Sequence, residues 1–568
     1  LTRTSPSTAD ILTAAVWCAA VFGVIEGVLL TVSRSWPRIL APYKASAHLL
    51  WIAPVVDIGL FAAAACVLAA GLARVPRLRT FGVISGVFLF AGIATVLLTL
   101  KVMHIAAALI LALGLTAAAS RRLHGREAQT ISWLRRRTLA IPVAVIVLAG
   151  TVAAWNAFAE RRRFGRLPPG GNEGGSPPNV LIVVLDTVRS DLFAADNGRL
   201  TPELHRFAAR GVTFSNAWAS SSWSLPSQAS ILAGKYPQDH GADWPSLGLK
   251  SATLAEVLAS RGYVTGAFSG NSAWVTPEFL GKGFLRFRAY TFEDHVRRTT
   301  NGRVLNRISH ELGFHPAGRG KKAPAVNAQF LQFLATYPGR PFFAYLCLMD
   351  VNQAFHHERL NRPFWARRAS VEEELGAYES ALRTLDTQIA QLLTQLDRSG
   401  LLQNTIVVIT SDHGESFGKG NRGDHDPGGH GTSLYPEQTR VPLVVVAPQR
   451  VVAGRVIDTP VSLKEIPATI GRLLGIDTPS FGDPLPLDSG ASVGDPAVLT
   501  TLFYDGRNEQ SLTTSRWFYR RDAVAGTEEL YDLAADPTAQ RPRTSADPQL
   551  TILRERCERM LRQAPLKE

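Results

Sequence analysis

An α/β fold, with a central sheet flanked by helices and a small C-terminal sub-sheet, preceded by an all-α unit of five transmembrane helices, is predicted for this 568-residue sequence. Three observations carry the prediction. Five apolar stretches crowd into the first 160 residues, two aliphatic runs farther along each lead into an aspartate, and the surplus positive charge is confined to the apolar part.

The apolar stretches fall at 11–32, 47–73, 80–100, 102–120 and 139–159. Each is close to the ~20 residues that a helix needs to cross a ~30 Å hydrocarbon core. The third and fourth are separated by Lys101 to His104, which predicts a tight helical hairpin or a partly re-entrant pair. The loop 121–137 carries Arg121, Arg122, Arg126, Arg135, Arg136 and Arg137 against Glu127. Basic loops remain cytoplasmic, so the N-terminus is expected inside and the chain after residue 160 outside. Arg161, Arg162, Arg163 and Arg166 lie on that outer side and oppose the rule, four arginines against six. The expectation is an integral plasma (inner) membrane protein with an extracytoplasmic catalytic domain. Glu26 and Asp57 fall inside apolar spans. Burying an unpaired carboxylate there costs several kcal/mol, and a structural partner within the bundle is the expected explanation, a functional role the alternative.

The formal charge of +13 invites a nucleic-acid reading, which its distribution removes. Residues 1–166 hold 18 Lys and Arg against 5 Asp and Glu, the entire surplus, and residues 167–568 hold 42 of each. No basic arm is left for a polyanion. The cysteines Cys18, Cys66, Cys347 and Cys557 are far apart, without zinc or disulfide spacing. No feature sets an oligomeric state.

The domain boundaries expected are 1–160 for the membrane unit, 161–178 for a linker containing LPPGGNEGGSPP, 179–450 for a catalytic core and 451–568 for a C-terminal subdomain. The run Asn179 to Leu185 is aliphatic and β-branched, which predicts a strand buried on both faces and ending at Asp186. Open α/β sheets gather ligand groups at such carboxyl ends. Thr201–Arg210 is expected as a helix. Thr405 to Thr410 repeats the strand pattern and leads into Ser411-Asp412-His413-Gly414-Glu415. Asp with His suits Zn²⁺ or Mn²⁺, while Ca²⁺ prefers an all-oxygen shell. Ser224, two residues before Pro226, is expected at a helix N-terminus, where backbone amides and the helix dipole favour an anion or alkoxide. Toward the C-terminus, Val461–Ile476 predicts an amphipathic helix, Trp517–Tyr519 and Glu529–Leu533 short strands, and 549–563 a closing helix. The stretch Arg319–Lys322 is expected as a solvated loop.

Residues 179 to about 540 resemble the sulfatase family of the alkaline-phosphatase superfamily. The landmarks, in the family's order, are PNVLIVVLDTVRSD, WSLPSQASILAGKYPQDHG, TLAEVLASRGYVTGAFSGN, TSDHGE, GHGTSLYPEQTRVPLVV and ELYDLAADP. The resemblance implies that Asp186, Asp412 and His413 bind one divalent metal ion (Ca, Mn or Zn). It further implies that Ser224 is the nucleophile, with His430 contacting the substrate and donating a proton, or His240 in its place. Gln228 and Asn271 are expected to line the substrate site together with His240. The sequence departs from the family pattern at four places. Gln228 replaces the Arg of the maturation motif, which makes formylglycine at Ser224 doubtful. Thr187 replaces a second consecutive Asp, Asn271 a substrate-contacting Lys, and Asn352 a His; His356 and His357 are expected as a surface pair, with substitution for that His the alternative. The expected function is metal-dependent hydrolysis of a sulfate or phosphate ester, of a cell-surface glycan or lipid, at a serine nucleophile. Two alternatives are a phosphoglycerol or phosphoethanolamine transferase using membrane lipid donors, and a catalytically degenerate membrane protein that binds anionic glycans.

Overall fold

The computed structural model describes the chain except for residues 1–4, 33–45, 101, 170–176, 195–197, 312–319, 361–369, 419–423, 426–427, 489–494 and 563–568. Most of the expected linker and the side chains of His356 and His357 therefore lie outside the described residues. The chain divides into two units, Leu1–Arg162 with Thr291–His315, and Arg163–Tyr290 with Pro316–Glu568.

In the first unit, α1 (Thr8–Val32), α2 (Leu49–Arg74), α3 (Phe81–Thr99), α4 (Ile105–Leu123) and α6 (Ala140–Phe164) are each long and apolar enough to cross a membrane. They match the five predicted stretches within a few residues. The basic loop is partly helical, as α5 (Glu127–Arg135). Gly23 and Gly27 let α1 and α2 approach closely: an added Cβ would come within 2.5 Å of Pro54 Cα and 2.6 Å of Leu49 O. Residues 291–315, expected within the catalytic core, instead cluster with these helices. They form two short helices, Phe292–Val296 and Thr300–Glu311. This insert supplies partners for the carboxylates of Glu26 and Asp57, both set in apolar helices. Glu26 accepts a bond of 2.5 Å from the Thr300 backbone N–H, and Asp57 accepts one of 2.8 Å from the Asn301 side chain.

The second unit is built on a nine-stranded sheet of order β4-β3-β5-β1-β6-β7-β2-β8, with β9 also paired to β2. The strands are β1 (Asn179–Leu185), β2 (Val212–Trp218), β3 (Val264–Ser269), β4 (Arg286–Arg288), β5 (Phe342–Leu348), β6 (Thr405–Thr410), β7 (Arg440–Val446), β8 (Arg455–Ile457) and β9 (Val461–Ser462). Strands β4, β3, β5, β1 and β6 run parallel, and β7 is antiparallel to both neighbours. The aliphatic runs explain the central strands. Every residue of β1, β5 and β6 is buried, because apolar clusters cover both faces of the sheet. One cluster holds the helix Ser224–Ala233, the other the long helix Val371–Arg398.

Residues 451–568 begin inside this sheet, since β8 and β9 pair with β2. They continue into a separate antiparallel sheet of β10 (Val498–Tyr504), β11 (Arg507–Thr513), β12 (Trp517–Asp522) and β13 (Thr527–Asp532), followed by the predicted closing helix, Pro548–Arg562. Trp218 of β2 stacks on Phe518 of β12 at 6.0 Å, which joins the two sheets. Lys321 is buried rather than solvated: its ammonium donates to Arg288 O at 2.7 Å and Gln329 Oε1 at 2.9 Å.

The loops leaving β1 and β6 are tied together by Arg189. Its buried guanidinium donates to Asp424 at 2.7 Å and to Glu415 O at 2.9 Å, and also pairs with Asp191. Removing one partner of a buried ion pair strands the other charge, at a cost of roughly 3–5 kcal/mol. Arg189→Ala is therefore expected to destabilise the second unit by about that amount, measured by denaturant unfolding, whereas Arg206→Ala, which removes the exposed Arg206–Glu203 pair, should change stability by less than about 1 kcal/mol.

Candidate active site

The site lies at the carboxyl ends of β1, β3, β5 and β6. The β1–β6 register places Val184 beside Thr410, so two residues farther on Asp186 and Asp412 leave the sheet side by side. Ser411 locks these ends together, its hydroxyl donating to Leu185 O while it accepts from the Val188 N–H at 2.9 Å. Thr187, between Asp186 and Val188, is held at φ +66°. A β-branched residue in that region is strained, and the surroundings fix it: its N–H donates to Asp412 Oδ1 at 3.4 Å and its carbonyl accepts from Tyr378 OH at 2.7 Å. At Gly414 an added Cβ would lie 2.2 Å from Glu437 O, so glycine is needed for the turn that follows His413.

Ligand atoms of Asp186, Asp412 and His413 all lie within 4.8 Å of one another, and the three side chains are fully buried. Donors bound at 2.0–2.4 Å to a single ion cannot be farther apart than about 4.8 Å, so this donor set fits one divalent cation. Burial, reinforced by the neighbouring Asp412, pushes the Asp186 carboxyl well above its ordinary range, against the lowering effect of the Asn271 and Asn352 amides. Burial also lowers the pKa of His413. The His413 Nδ1 lies 2.9 Å from Gly414 O, which makes it the N–H donor and leaves the lone pair on Nε2.

That Nε2 lies 3.2 Å from Ser224 Oγ. Ser224 opens the helix Ser224–Ala233, whose N-cap is Trp223, so its hydroxyl is not used as the cap. Asn271, beyond the end of β3, donates to both Asp186 Oδ2 at 3.0 Å and Ser224 Oγ at 3.3 Å. His430 enters from a separate loop; its ring sits 4.5 Å from that of His413, and its Nδ1 lies 2.8 Å from Glu415 Oε2.

The structure thus brings together Asp186, Ser224, Asn271, Asp412, His413 and His430. Gln228 is present in a different capacity from the one expected. Its amide donates to Asp412 Oδ2 at 2.7 Å and accepts from Tyr345 OH at 2.9 Å, which positions a carboxylate from beneath. His240 is not part of the hydrogen-bonded cluster. It is fully buried behind the helix, with Nε2 3.1 Å from both Pro226 O and Ser230 Oγ and Nδ1 accepting from the Ala242 N–H. Burial lowers its pKa to about 3, which keeps it neutral and unsuited to donate a proton to a leaving group. Two supporting residues were not assigned roles from sequence. Asn352 donates to Asp186 Oδ1 at 2.9 Å, and Glu415 orients His430. The TSDHGE run contains Glu415, but only the fold shows which histidine it faces.

A mixed α/β sheet with buried carboxylates at the ends of its parallel strands, and a serine at a helix N-terminus beside them, defines an α/β fold of the alkaline-phosphatase type. A family profile described as Sulfatase matches residues 178–476. The chain belongs to the sulfatase family. It is 26% identical over 345 residues to arylsulfatase A of Homo sapiens, covering 54% of this chain and 65% of that protein, just under two thirds of its length. It is 24% identical over 477 residues to an N-acetylgalactosamine-6-O-sulfatase of Bacteroides thetaiotaomicron, covering 64% and 89%. The fold is shared with a phosphonate monoester hydrolase from Silicibacter pomeroyi, at a TM-score of 0.54 and 18% identity, over 68% of this chain and 95% of that one.

The raised pKa of Asp186 predicts a pH dependence for the metal-free protein. Its contribution to stability is full below pH ~4, the ordinary carboxylate value, and is lost as the pH rises through the raised folded-state value. Thermal melts in chelator should therefore show a falling Tm from pH 4 to pH 8, flattened in Asp186→Asn. Parallel profiles for the two proteins would contradict this.

Proposed function

We propose that this chain is a membrane-anchored hydrolase of monoanionic sulfate or phosphate esters, with an unmodified Ser224 as nucleophile. The observation that carries the proposal is the meeting of the Ser224 hydroxyl, at a helix N-terminus, with the buried Asp186–Asp412–His413 cluster. Those three residues would hold a divalent cation, and the histidine in the set favours Zn²⁺ or Mn²⁺ over Ca²⁺. Such an ion supplies charge neutralisation at the ester oxygens and a more acidic nucleophile.

The chain's own groups account for the remaining chemistry. The Asn271 amide and the helix N-terminus hold Ser224 Oγ and favour its alkoxide. Attack by the Ser224 alkoxide, its proton having passed to solvent, forms the covalent ester as the bond to the alcohol oxygen breaks. His430, oriented by Glu415, protonates that leaving oxygen, and water then releases the acid. Gln228 at the maturation-motif Arg position supports a serine that stays unmodified. Among the described residues, no Lys or Arg is hydrogen-bonded to Asp186, Ser224, Asn271, Asn352, Asp412 or His413. One divalent cation against the Asp186 and Asp412 carboxylates, with Glu415 engaged by His430, leaves a nearly neutral site, which suits a monoanion such as a sulfate monoester or phosphodiester better than a dianion. Similarity to a protein named arylsulfatase A supports the sulfate member of this pair.

The five apolar helices support a membrane anchor. Orientation is supported by two contacts at opposite ends of α1. Asp10 pairs with Arg135 of the basic α5, while Glu26 binds Thr300 of the insert. With the basic loop inside, the catalytic unit lies outside the cytoplasm.

Esters of one alcohol, such as 4-nitrophenyl sulfate, a 4-nitrophenyl phosphodiester and 4-nitrophenyl phosphate, test the proposal directly. Turnover of one of the two monoanions should exceed that of the dianion, and Ser224→Ala should lower it by about 10³-fold or more. Peptide mass spectrometry should find serine at 224; formylglycine there would overturn the nucleophile assignment. Transfer of the acid group to an added alcohol or lipid without release of free sulfate or phosphate would indicate a transferase instead. His430→Gln should reduce rates more for alkyl than for nitrophenyl leaving groups, because the poorer leaving group needs the proton more.

A further inference from the structure

The insert at 291–315 raises a question that ester chemistry does not answer: why a catalytic chain returns to a bundle of apolar helices. Its second helix, Thr300–Glu311, is docked by its N-terminal end. Glu26 of α1 accepts from the Thr300 N–H, Asp57 of α2 accepts from the Asn301 amide, and Thr99 of α3 shares a 2.7 Å hydrogen bond with the Thr300 hydroxyl. Carboxylates at a helix N-terminus are favourably placed against its dipole and its unpaired N–H groups.

These contacts also set the depth of the insert. Glu26 lies six residues before the end of α1 at Val32, and Asp57 eight residues after the start of α2 at Leu49. At ~1.5 Å per residue, the docked end sits roughly 9–12 Å inside the ends of α1 and α2, and level with Thr99, the last residue of α3. A polar surface would be expected for a helix bathed in water at that position. Instead Val304, Leu305 and Ile308 lie on one exposed face, and Phe292, in the preceding short helix, is exposed beside Trp51 near the start of α2. Spacings of one and four residues put the three aliphatic side chains on a single stripe. Exposed aliphatic residues on the same helices, among them Val55 on α2 and Val83 and Val87 on α3, carry the apolar surface along the bundle. An amphipathic helix seated by one end at this depth has the form of an interfacial element.

We infer that Thr300–Glu311 is a second membrane contact of the catalytic chain, with Val304, Leu305 and Ile308 embedded in the acyl region of the outer leaflet. The occupant of this face is lipid, and the inference rests on the membrane placement proposed above. The aliphatic stripe then lies in hydrocarbon, and the Glu26 and Asp57 contacts fix the depth at which it does so.

The test uses the full chain in nanodiscs, with Cys18 and Cys66 replaced by Ala. An environment-sensitive fluorophore is attached at Leu305→Cys or Ile308→Cys. Val67→Cys on α2 serves as the lipid-facing control and Val456→Cys on β8 as the aqueous control, both positions being well exposed. Quenching is measured with lipids spin-labelled high on the acyl chain and with aqueous iodide. The expected result is lipid quenching at 305 and 308 several-fold stronger than at 456, with iodide quenching correspondingly weaker. Labels at 305 and 308 that behave like 456, while 67 is quenched by lipid, would overturn the inference and leave the membrane placement standing. Loss of lipid quenching at 67 as well would overturn both.

Discussion

The parallel pairing of β1 with β6 is the constraint on which the rest of the catalytic unit depends. Continued past the sheet, its register delivers two carboxylates, Asp186 and Asp412, to one buried place. Left to themselves they repel, and burial adds to the cost of ionising either. Much of the surrounding structure offsets that conflict. Asn271 and Asn352 donate to Asp186, Gln228 and the Thr187 N–H donate to Asp412, and Ser411 clamps the strand ends. These neutral donors stabilise the ionised form without filling the site with positive charge. The remaining demand is for a cation, and it falls beside Ser224.

The same logic explains how substitutions relative to the family pattern can coexist with an assembled site. A Lys at 271 would bring a charge; Asn271 brings a fork that reaches both Asp186 and Ser224. An Arg at 228 would be buried against Tyr345 and Asp412; Gln228 meets both with a neutral amide. Each change trades cationic character for hydrogen bonding. A site of lower positive charge discriminates substrates by charge, which is the physical basis for expecting a monoanion.

The legible parts of the sequence were those governed by local pattern. The aliphatic runs of β1 and β6, the residues following them, the Ser-x-Pro helix start and the five apolar spans each carry their own signal over a few residues, and each lies where it was expected. What was not legible depends on contacts distant in sequence. The role of Gln228 requires knowing that Tyr345 and Asp412 flank it. His240 looks available in a motif but is enclosed by its own helix and turn. Residues 291–315 carry no long apolar run, so their association with the apolar N-terminal helices is visible only once Thr300 and Asn301 meet Glu26 and Asp57. The antiparallel run of β7 likewise follows from pairing rather than composition.

The central claim is that the paired strand ends form a one-ion site beside a serine. Elemental analysis of purified full-length protein, compared with Asp186→Asn and Asp412→Asn after identical purification, tests it most directly. The account predicts close to one tightly held divalent ion per wild-type chain, and loss of most of it in each variant while Ser224→Ala retains it. Equal metal content in all four proteins, or none in the folded wild type after exposure to Zn²⁺, Mn²⁺ and Ca²⁺, would contradict it.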